Sequence, residues 1–260
     1  MKPINNLTTE LFHHGIKGQK WGVWNDQTRA RYSGGRRHIK ESTKKNVMAS
    51  KTSNLDKWGK DKNHNILFVT GLSGSGKSTV SEGLRDKNTN VIHLDFYTNA
   101  GNGTYAKGHR DSDFNKHLEK EVPEYFNKYH GEFPALSKLS SEEKKEFWKM
   151  MDRFGDAIIS FGEKQYGNKK VIVEGVQFAD QTLFPDKNFF KDKPLMILST
   201  DSDTSLKRAA ERDDIELNDE ETMKIRKAMQ DSWLKDIKDL ETTTSVKLGE
   251  QYLEQLLKDV

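Results

Sequence analysis

The sequence predicts an α/β fold in which helices flank a parallel β-sheet. After about residue 63, short apolar runs alternate with stretches of helical periodicity, the pattern of repeated strand–helix–strand units. Before that point the chain is rich in Lys, Arg, Ser and Gly and shows no sustained periodicity. We therefore expect a basic, largely irregular N-terminal arm over residues 1–62 and a folded domain over residues 63–260.

Four apolar runs have the length and the boundaries of buried strands. They are Ile66–Val69, Val91–Leu94, Val171–Val173 and Leu195–Leu198. A weaker fifth run, Thr243–Leu248, precedes a stretch with the spacing of a last helix.

The long segment between the second and third runs, about residues 98–168, is predicted to be a helical insert, because it is too long for a simple loop. A first helical stretch covers roughly Asp113–Lys128. Ser140 and Glu143 then have the spacing of a capping box that opens a second helix. The apolar residues of this second helix recur every three or four positions and predict a buried face. They are Phe147, Met151, Phe154, Ile158 and Phe161.

Composition and charge narrow the class of protein. The 260 residues include no Cys, which excludes disulfides and thiolate metal sites. No apolar run approaches the roughly 20 residues of a membrane span, so we expect a soluble intracellular protein with no membrane partner. Residues 1–60 carry 13 Lys and Arg against 4 Asp and Glu. Such an arm is either a solvated tail or a surface that binds nucleic acid or a protein.

The segment GLSGSGKS, Gly71–Ser78, fits the phosphate-binding pattern G-x-x-x-x-G-K-[ST]. A predicted strand precedes it and a helix-compatible stretch follows, which is the context that the pattern requires. Glycines let the backbone curl around phosphate oxygens, and the helix N-terminus adds a positive partial charge. We expect the phosphates of ATP or GTP to be bound by Gly71, Ser73, Gly74, Ser75, Gly76, Lys77, Ser78 and Thr79.

Two residues of this loop have further expected roles. Lys77 brings a mobile cation to the β- and γ-phosphates. Ser78 offers a hydroxyl to Mg²⁺, which takes few protein ligands beside phosphate and water.

Two carboxylates follow predicted strands, at the edge where open α/β sheets bind ligands. Asp95 follows the second run, where it can accept the proton of an attacking hydroxyl or hold an acceptor; the alternative is an Asp that caps a turn. Glu174 ends the third run, where burial is costly unless the carboxylate has a partner. That partner is Mg²⁺ through water, the acceptor, or a local basic residue.

Arg208 and Arg212 lie four residues apart after the fourth run and would share one face of a helix. Two guanidinium groups on a mobile segment could cover a triphosphate and neutralise charge that develops in the transition state. The alternative is a solvated helix face on which Glu211 and Asp213 are their partners.

Together these residues resemble the P-loop nucleoside and small-molecule kinases, such as uridine kinase and the zeta-toxin-like kinases. The resemblance covers about residues 64–260 and includes Tyr97 near Asp95 and the strand end Val171–Gly175. It implies a P-loop NTPase fold with a five-stranded parallel sheet in the order 2-3-1-4-5. It also implies Mg²⁺ and ATP as donor, Asp95 as base, and an acceptor held under the helical insert.

The N-terminal string HGIKGQKWGV, His14–Val23, is similar to a short module, H-G-x-K-G-x-K-W-G-V, found on many tailed-phage proteins. The similarity implies a phage or prophage origin and an arm that docks on a phage structural protein. The expected location is the cytoplasm of a bacterial host, or the virion.

The expected function is transfer of the γ-phosphoryl group of ATP to a nucleoside, a nucleotide or a sugar nucleotide. A polynucleotide 5′-kinase, with the basic arm as strand-binding device, is one alternative. A non-catalytic nucleotide-binding module of phage assembly is another. No guanine-reading N/T-K-x-D motif follows the fourth run, so a GTPase switch is not favoured.

Overall fold

The computed structural model describes most of the chain after residue 31. The described residues are 32–33, 36–37, 39–49, 53–94, 113–131, 133–134, 136–179, 187–190, 193–198, 201–212 and 220–243. The chain divides into two compact units. One comprises residues 1–24 and 95–161, and the other comprises residues 25–94 and 162–260.

The secondary structure alternates between strands and helices. The strands are β1 (Tyr32–Ser33), β2 (Arg36–Arg37), β3 (Ile66–Gly71), β4 (Thr89–His93), β5 (Lys170–Glu174) and β6 (Leu195–Leu198). The helices are α1 (Glu41–Ala49), α2 (Ser53–Lys60), α3 (Lys77–Leu84), α4 (Asp113–Glu121), α5 (Pro123–Asn127), α6 (Ser141–Tyr166), α7 (Ser202–Arg212) and α8 (Glu220–Thr243). Short 3₁₀ turns cover Leu136–Lys138, Val176–Ala179 and Lys187–Phe190. Within the described residues, no helix combines the length and the apolar character needed to cross a bilayer.

The larger unit is built on a four-stranded sheet in the order β4-β5-β3-β6. Every neighbouring pair in this sheet is parallel. The α/β class and the parallel sheet are therefore confirmed, and the four strands, numbered along the chain, stand in the order 2-3-1-4. The expected fifth strand is untested, because residues 244–248 lie outside the described part of the chain and Thr243 is the last residue of α8.

Alternate residues of the strands face opposite sides of the sheet, and each side has its own apolar packing. One side packs in a core cluster with α1, α2 and α3; its members include Leu67, Val69, Val80, Val91 and Ile172. On the other side Phe68 lies edge-on to the rings of Phe178, Phe189 and Phe190, with centroids 5.0–5.7 Å apart.

The expectation of a largely irregular arm up to residue 62 is wrong for residues 41–49 and 53–60. These residues form α1 and α2, whose Val47, Leu55 and Trp58 belong to the core cluster on the sheet. The packing is close: a Cβ added to Gly83 of α3 would lie 2.5 Å from Cβ of Val47. The sequence does not predict these helices, because three apolar residues in two short Lys-rich stretches do not form a recognisable helical periodicity. Residues 1–31, with the phage-like string, lie outside the described residues.

The described part of the smaller unit is helical, as expected for the insert. The predicted helix over roughly Asp113–Lys128 is two helices, because Val122 and Pro123 interrupt it and Pro has no N–H to continue the ladder. The capping box is confirmed: the N–H of Ser140 donates to Glu143 Oε2 at 2.8 Å, and the N–H of Glu143 donates to Ser140 Oγ at 3.2 Å. The apolar stripe of α6 is buried as predicted.

Candidate functional site

The glycine-rich loop lies between β3 and α3, the context that its sequence predicts. Gly76 is the N-cap of α3 and has φ 91°, in the left-handed region that glycine adopts without steric cost. The N–H of Ser75 donates to the carbonyl of Leu72 at 3.1 Å and closes a tight turn. The loop therefore delivers the chain to the N-terminus of an eight-residue helix, where the unpaired N–H groups favour an anion.

Two helices from the C-terminal half of the chain pack against this loop. Gly74 has φ 86°, and a Cβ at this position would lie 2.2 Å from the carbonyl oxygen of Ser205 in α7. From α8, the amide of Gln230 donates to the carbonyl of Ser73 at 2.8 Å. The backbone of the loop is thus set by contacts far from it in sequence.

Lys77 lies folded back on the loop. Its Nζ donates to the carbonyl oxygens of Gly71 at 3.0 Å and Leu72 at 2.9 Å, and the residue is buried. A positive charge is therefore held inside the loop, beside the N-terminus of α3. Both features lower the energy of an anion at this point.

A chain of buried polar side chains lies where α3 meets the sheet. His93 of β4 and Glu174 of β5 are partners in the parallel register, so their side chains lie together on one face. The His93 Nδ1 is 2.6 Å from Glu174 Oε1, and the His93 Nε2 is 2.7 Å from Glu82 Oε1. Ser78 donates to the same Glu174 Oε1 at 2.9 Å.

The register explains why polar groups occupy this part of a sheet face. Val91 and Ile172 occupy the same face two residues earlier on their strands and belong to the apolar core. At the carboxyl ends of the strands, the alternating pattern continues with His93 and Glu174. Ser78 and Glu82 lie four residues apart, about one turn of α3, and so face the sheet together. Ser78 bonds to Glu174, and Glu82 bonds to His93.

At the end of this polar chain furthest from Ser78, Glu82 is held by an arginine. Arg85 Nε donates to Glu82 Oε2 at 2.7 Å, and one of its terminal nitrogens donates to Glu82 Oε1 at 2.8 Å. The same guanidinium nitrogen donates to the carbonyl of Val91 at 3.0 Å. Bidentate pairs of this kind are short and geometrically specific.

The protonation states follow from the hydrogen-bonding capacity of the groups. Ionised carboxylates only accept, so a ring with a carboxylate at each nitrogen must donate from both and carry a positive charge. Burial alone lowers the pKa of His93, but its hydrogen bonds to Glu174 and Glu82 raise that pKa above the ordinary value. Burial alone raises the pKa of Glu82, but its bonds with His93 and Arg85 lower it to about 2. In the same way, His93 and Lys77 keep the pKa of Glu174 low despite burial.

We predict that this polar chain, which runs from Ser78 through Glu174, His93 and Glu82 to Arg85, stabilises the fold over a limited pH range. Glu82 has its pKa lowered from 4.5 to about 2, so its contribution is complete above pH 4.5 and is lost as the pH falls towards 2. His93 has a raised pKa, so its contribution is complete below pH 6.5 and is lost as the pH rises through the folded-state pKa. At pH 6 we expect Glu82→Gln to lower Tm by roughly 5 °C, because a buried charged group loses its partner.

The measurement is Tm against pH for wild type and Glu82→Gln, with Glu163→Gln on the exposed face of α6 as the matched control. The difference between wild type and Glu82→Gln should shrink between pH 4.5 and pH 3. A difference that stays constant down to pH 3 would contradict the assignment of an ionised Glu82.

The residues present fit a nucleotide phosphate and Mg²⁺. The Ser78 hydroxyl donates its hydrogen to Glu174, so the lone pairs of the Ser78 oxygen remain available to a cation. Glu174 Oε2 is buried and has no hydrogen-bond partner among the described residues. The described residues contain no group of three or more His, Asp or Glu that could hold a metal ion by themselves. A bound Mg²⁺ commonly takes one or two protein ligands together with phosphates and water.

The structure brings together the loop residues and Glu174 of the predicted site. Thr79 is buried in the first turn of α3. Arg208 is half-buried on α7, next to Ala209, whose backbone N would lie 3.1 Å from a Cβ on Gly74. Arg212 is the last residue of α7, and its side chain lies outside the described residues, as do Asp95 and Tyr97. The roles predicted for Asp95, Arg208 and Arg212 stay predictions.

Sequence reasoning missed Glu82, Arg85, His93 and Gln230. The one available signal was the buried carboxylate of Glu174, which requires a partner. Of the alternatives that the sequence leaves open, the described structure supplies a basic residue, His93. No signal pointed to Gln230, since its contact with Ser73 spans 157 residues.

Comparison with known proteins yields no assignment, because no family model and no curated protein sequence matches the chain.

Proposed function

We propose that the chain is an ATP-dependent P-loop phosphotransferase, a kinase acting on a small-molecule acceptor. The observation that carries this proposal is the loop Gly71–Ser78, placed between a buried strand and the start of a helix, with Ser78 bonded to the buried Glu174. A lysine, a hydroxyl and a carboxylate thus converge on one helix N-terminus. A site that binds and neutralises polyphosphate has this composition.

The finer fold proposed is the P-loop NTPase fold with five parallel strands in the order 2-3-1-4-5. The order of the four described strands supports it. The position of the loop supports it too, since it follows the first strand of the sheet and opens the next helix.

In this proposal the loop backbone and Lys77 hold the β- and γ-phosphates of ATP. Ser78 and, through water, Glu174 would hold Mg²⁺, which when bound neutralises charge on the phosphates. Lys77 must leave the carbonyls of Gly71 and Leu72 to reach a phosphate, a movement within its own side chain. Asp95 is the proposed base, and Arg208 and Arg212 are the proposed cations over the transferred group.

The acceptor class proposed is a nucleoside, a nucleotide or a sugar nucleotide. Phage origin and docking through the arm are proposed on the string His14–Val23 alone.

The test is transfer of label from γ-labelled ATP into nucleosides, nucleotides, UDP-sugars and oligonucleotides. We expect label in one class of small acceptor, and a loss of about 100-fold in Asp95→Asn, because general-base catalysis contributes about 10²–10⁴-fold. Asp156→Asn, on the exposed side of α6, is the matched control and should transfer as wild type does.

The other outcomes separate the alternatives. Label only in oligonucleotides would replace the small-molecule kinase by a polynucleotide 5′-kinase. ATP that is bound but never transferred, with Asp95→Asn indistinguishable from wild type, would replace it by a non-catalytic nucleotide-binding module.

A further inference from the structure

We propose that His93 is a positioning residue for Glu174, which together with Ser78 would hold Mg²⁺. His93 keeps the carboxylate of Glu174 in the orientation that a nucleotide-bound Mg²⁺ requires. This inference rests on the proposed function, since it concerns the same phosphate site. It assigns a role to a side chain on β4, which β5 separates from the strand that leads into the loop.

The first step is the geometry of the carboxylate. Glu174 Oε1 accepts from Ser78 Oγ at 2.9 Å and from His93 Nδ1 at 2.6 Å. Two donors on one oxygen fix the plane of the carboxyl group. The other oxygen, Oε2, has no partner among the described residues and is the acceptor left for a water of a hydrated cation.

The second step is the fixation of His93 itself. Its exposed fraction is 1%, and its second nitrogen is bonded to Glu82 at 2.7 Å. A ring bonded at both nitrogens cannot turn without breaking a bond. Its orientation is therefore set by Glu82, which Arg85 holds in turn through two hydrogen bonds.

Metal sites are commonly tuned in this way, by groups that bond to the ligands rather than to the metal. Removal of such an outer partner typically weakens metal binding by about 10- to 100-fold. The same removal should leave binding of metal-free nucleotide nearly unchanged, because the loop backbone and Lys77 carry that interaction.

The experiment measures two affinities on the full chain by titration calorimetry. One is the Kd for ATP in the presence of EDTA, and the other is the Kd for Mn²⁺ added to the ATP-saturated protein. The variants are His93→Phe, which removes both donors, and His93→Gln, which keeps an amide donor. His64→Phe is the matched control, because His64 also bonds to a carboxylate, Asp61 Oδ2 at 2.7 Å, but outside this polar chain.

We expect His93→Phe to weaken Mn²⁺ binding about 10- to 100-fold while the Kd for metal-free ATP changes less than about twofold. His93→Gln should recover part of the loss, and His64→Phe should match wild type. If His93→Phe does not fold, Glu82→Gln carries the test, since it weakens the anchor of His93 by replacing a charged acceptor with a neutral amide and leaves Glu174 unchanged. The same pattern with a smaller loss is then expected.

Equal Mn²⁺ affinity in wild type and His93→Phe would overturn the inference. So would an equal loss of metal-free ATP and Mn²⁺ binding, which indicates a purely structural residue. Wild type that binds no ATP under either condition would overturn the proposed function, and this inference with it.

Discussion

Replacing Lys77 by Ala is expected to lower kcat/KM for phosphoryl transfer by about 1,000-fold or more. Loss of one preorganised donor to a developing charge typically costs about 10²–10³-fold in kcat, and here weaker binding of ATP adds to that loss. The Lys77 ammonium already lies at the loop, 2.9–3.0 Å from two of its carbonyl oxygens. The measurement is transfer of γ-label to the acceptor, together with the Kd for ATP.

The matched control is Lys57→Ala, an exposed lysine of α2. It removes the same charge from the same unit at a position outside the polar chain, so its kcat/KM should remain that of wild type. Transfer by Lys77→Ala within threefold of wild type would remove the loop from the proposed mechanism.

Replacing Gly74 by Ala is expected to lower the free energy of unfolding by about 3 kcal/mol and to weaken nucleotide binding. The backbone at Gly74 has φ 86°, which costs a residue with a Cβ about 1–2 kcal/mol. The new methyl would lie 2.2 Å from the carbonyl oxygen of Ser205, and such overpacking typically costs about 1–3 kcal/mol more. Urea unfolding and the Kd for ATP measure the two effects.

Gly59→Ala is the control for this change. Gly59 lies in α2, and nothing lies within 4 Å of a Cβ placed there. Since Ala favours a helix over Gly by up to about 1 kcal/mol, this variant should be as stable as wild type or slightly more stable. Equal destabilisation by both substitutions would contradict the close approach of the loop to α7.

The four strands of the larger sheet, β3 to β6, were predictable because each is a local apolar run bounded by polar residues. The same holds for α6, where a capping box and a five-residue apolar stripe lie within one stretch of sequence. α1 and α2 were not predictable, since their burial depends on Val47 and Trp58 meeting a sheet that the local sequence does not show. The break before Pro123 was predictable although a single helical stretch was expected there, because Pro disfavours helix at the residue before it.

The site divides in the same way. The loop Gly71–Ser78 is contiguous, so its pattern and context identify it from sequence alone. The polar chain is assembled by strand register: Glu174 and His93 are 81 residues apart, and their contact exists only because β4 pairs with β5. The sequence indicates that a buried Glu174 needs a partner, but it does not indicate which basic residue of the protein is that partner.

The close contact between the loop and α7 limits how Arg208 can act. Ser205 and Ala209 bring the backbone of α7 against Gly74, so a movement of this part of the helix away from the loop would break that packing. While the packing is kept, Arg208 does not approach the phosphates by a hinge movement of α7. Any approach of its guanidinium to a bound phosphate must come from rotation about its own side-chain bonds. The cost of reaching a phosphate is then mainly rotamer entropy, about 2 kcal/mol for an arginine, rather than the energy of opening and closing a lid.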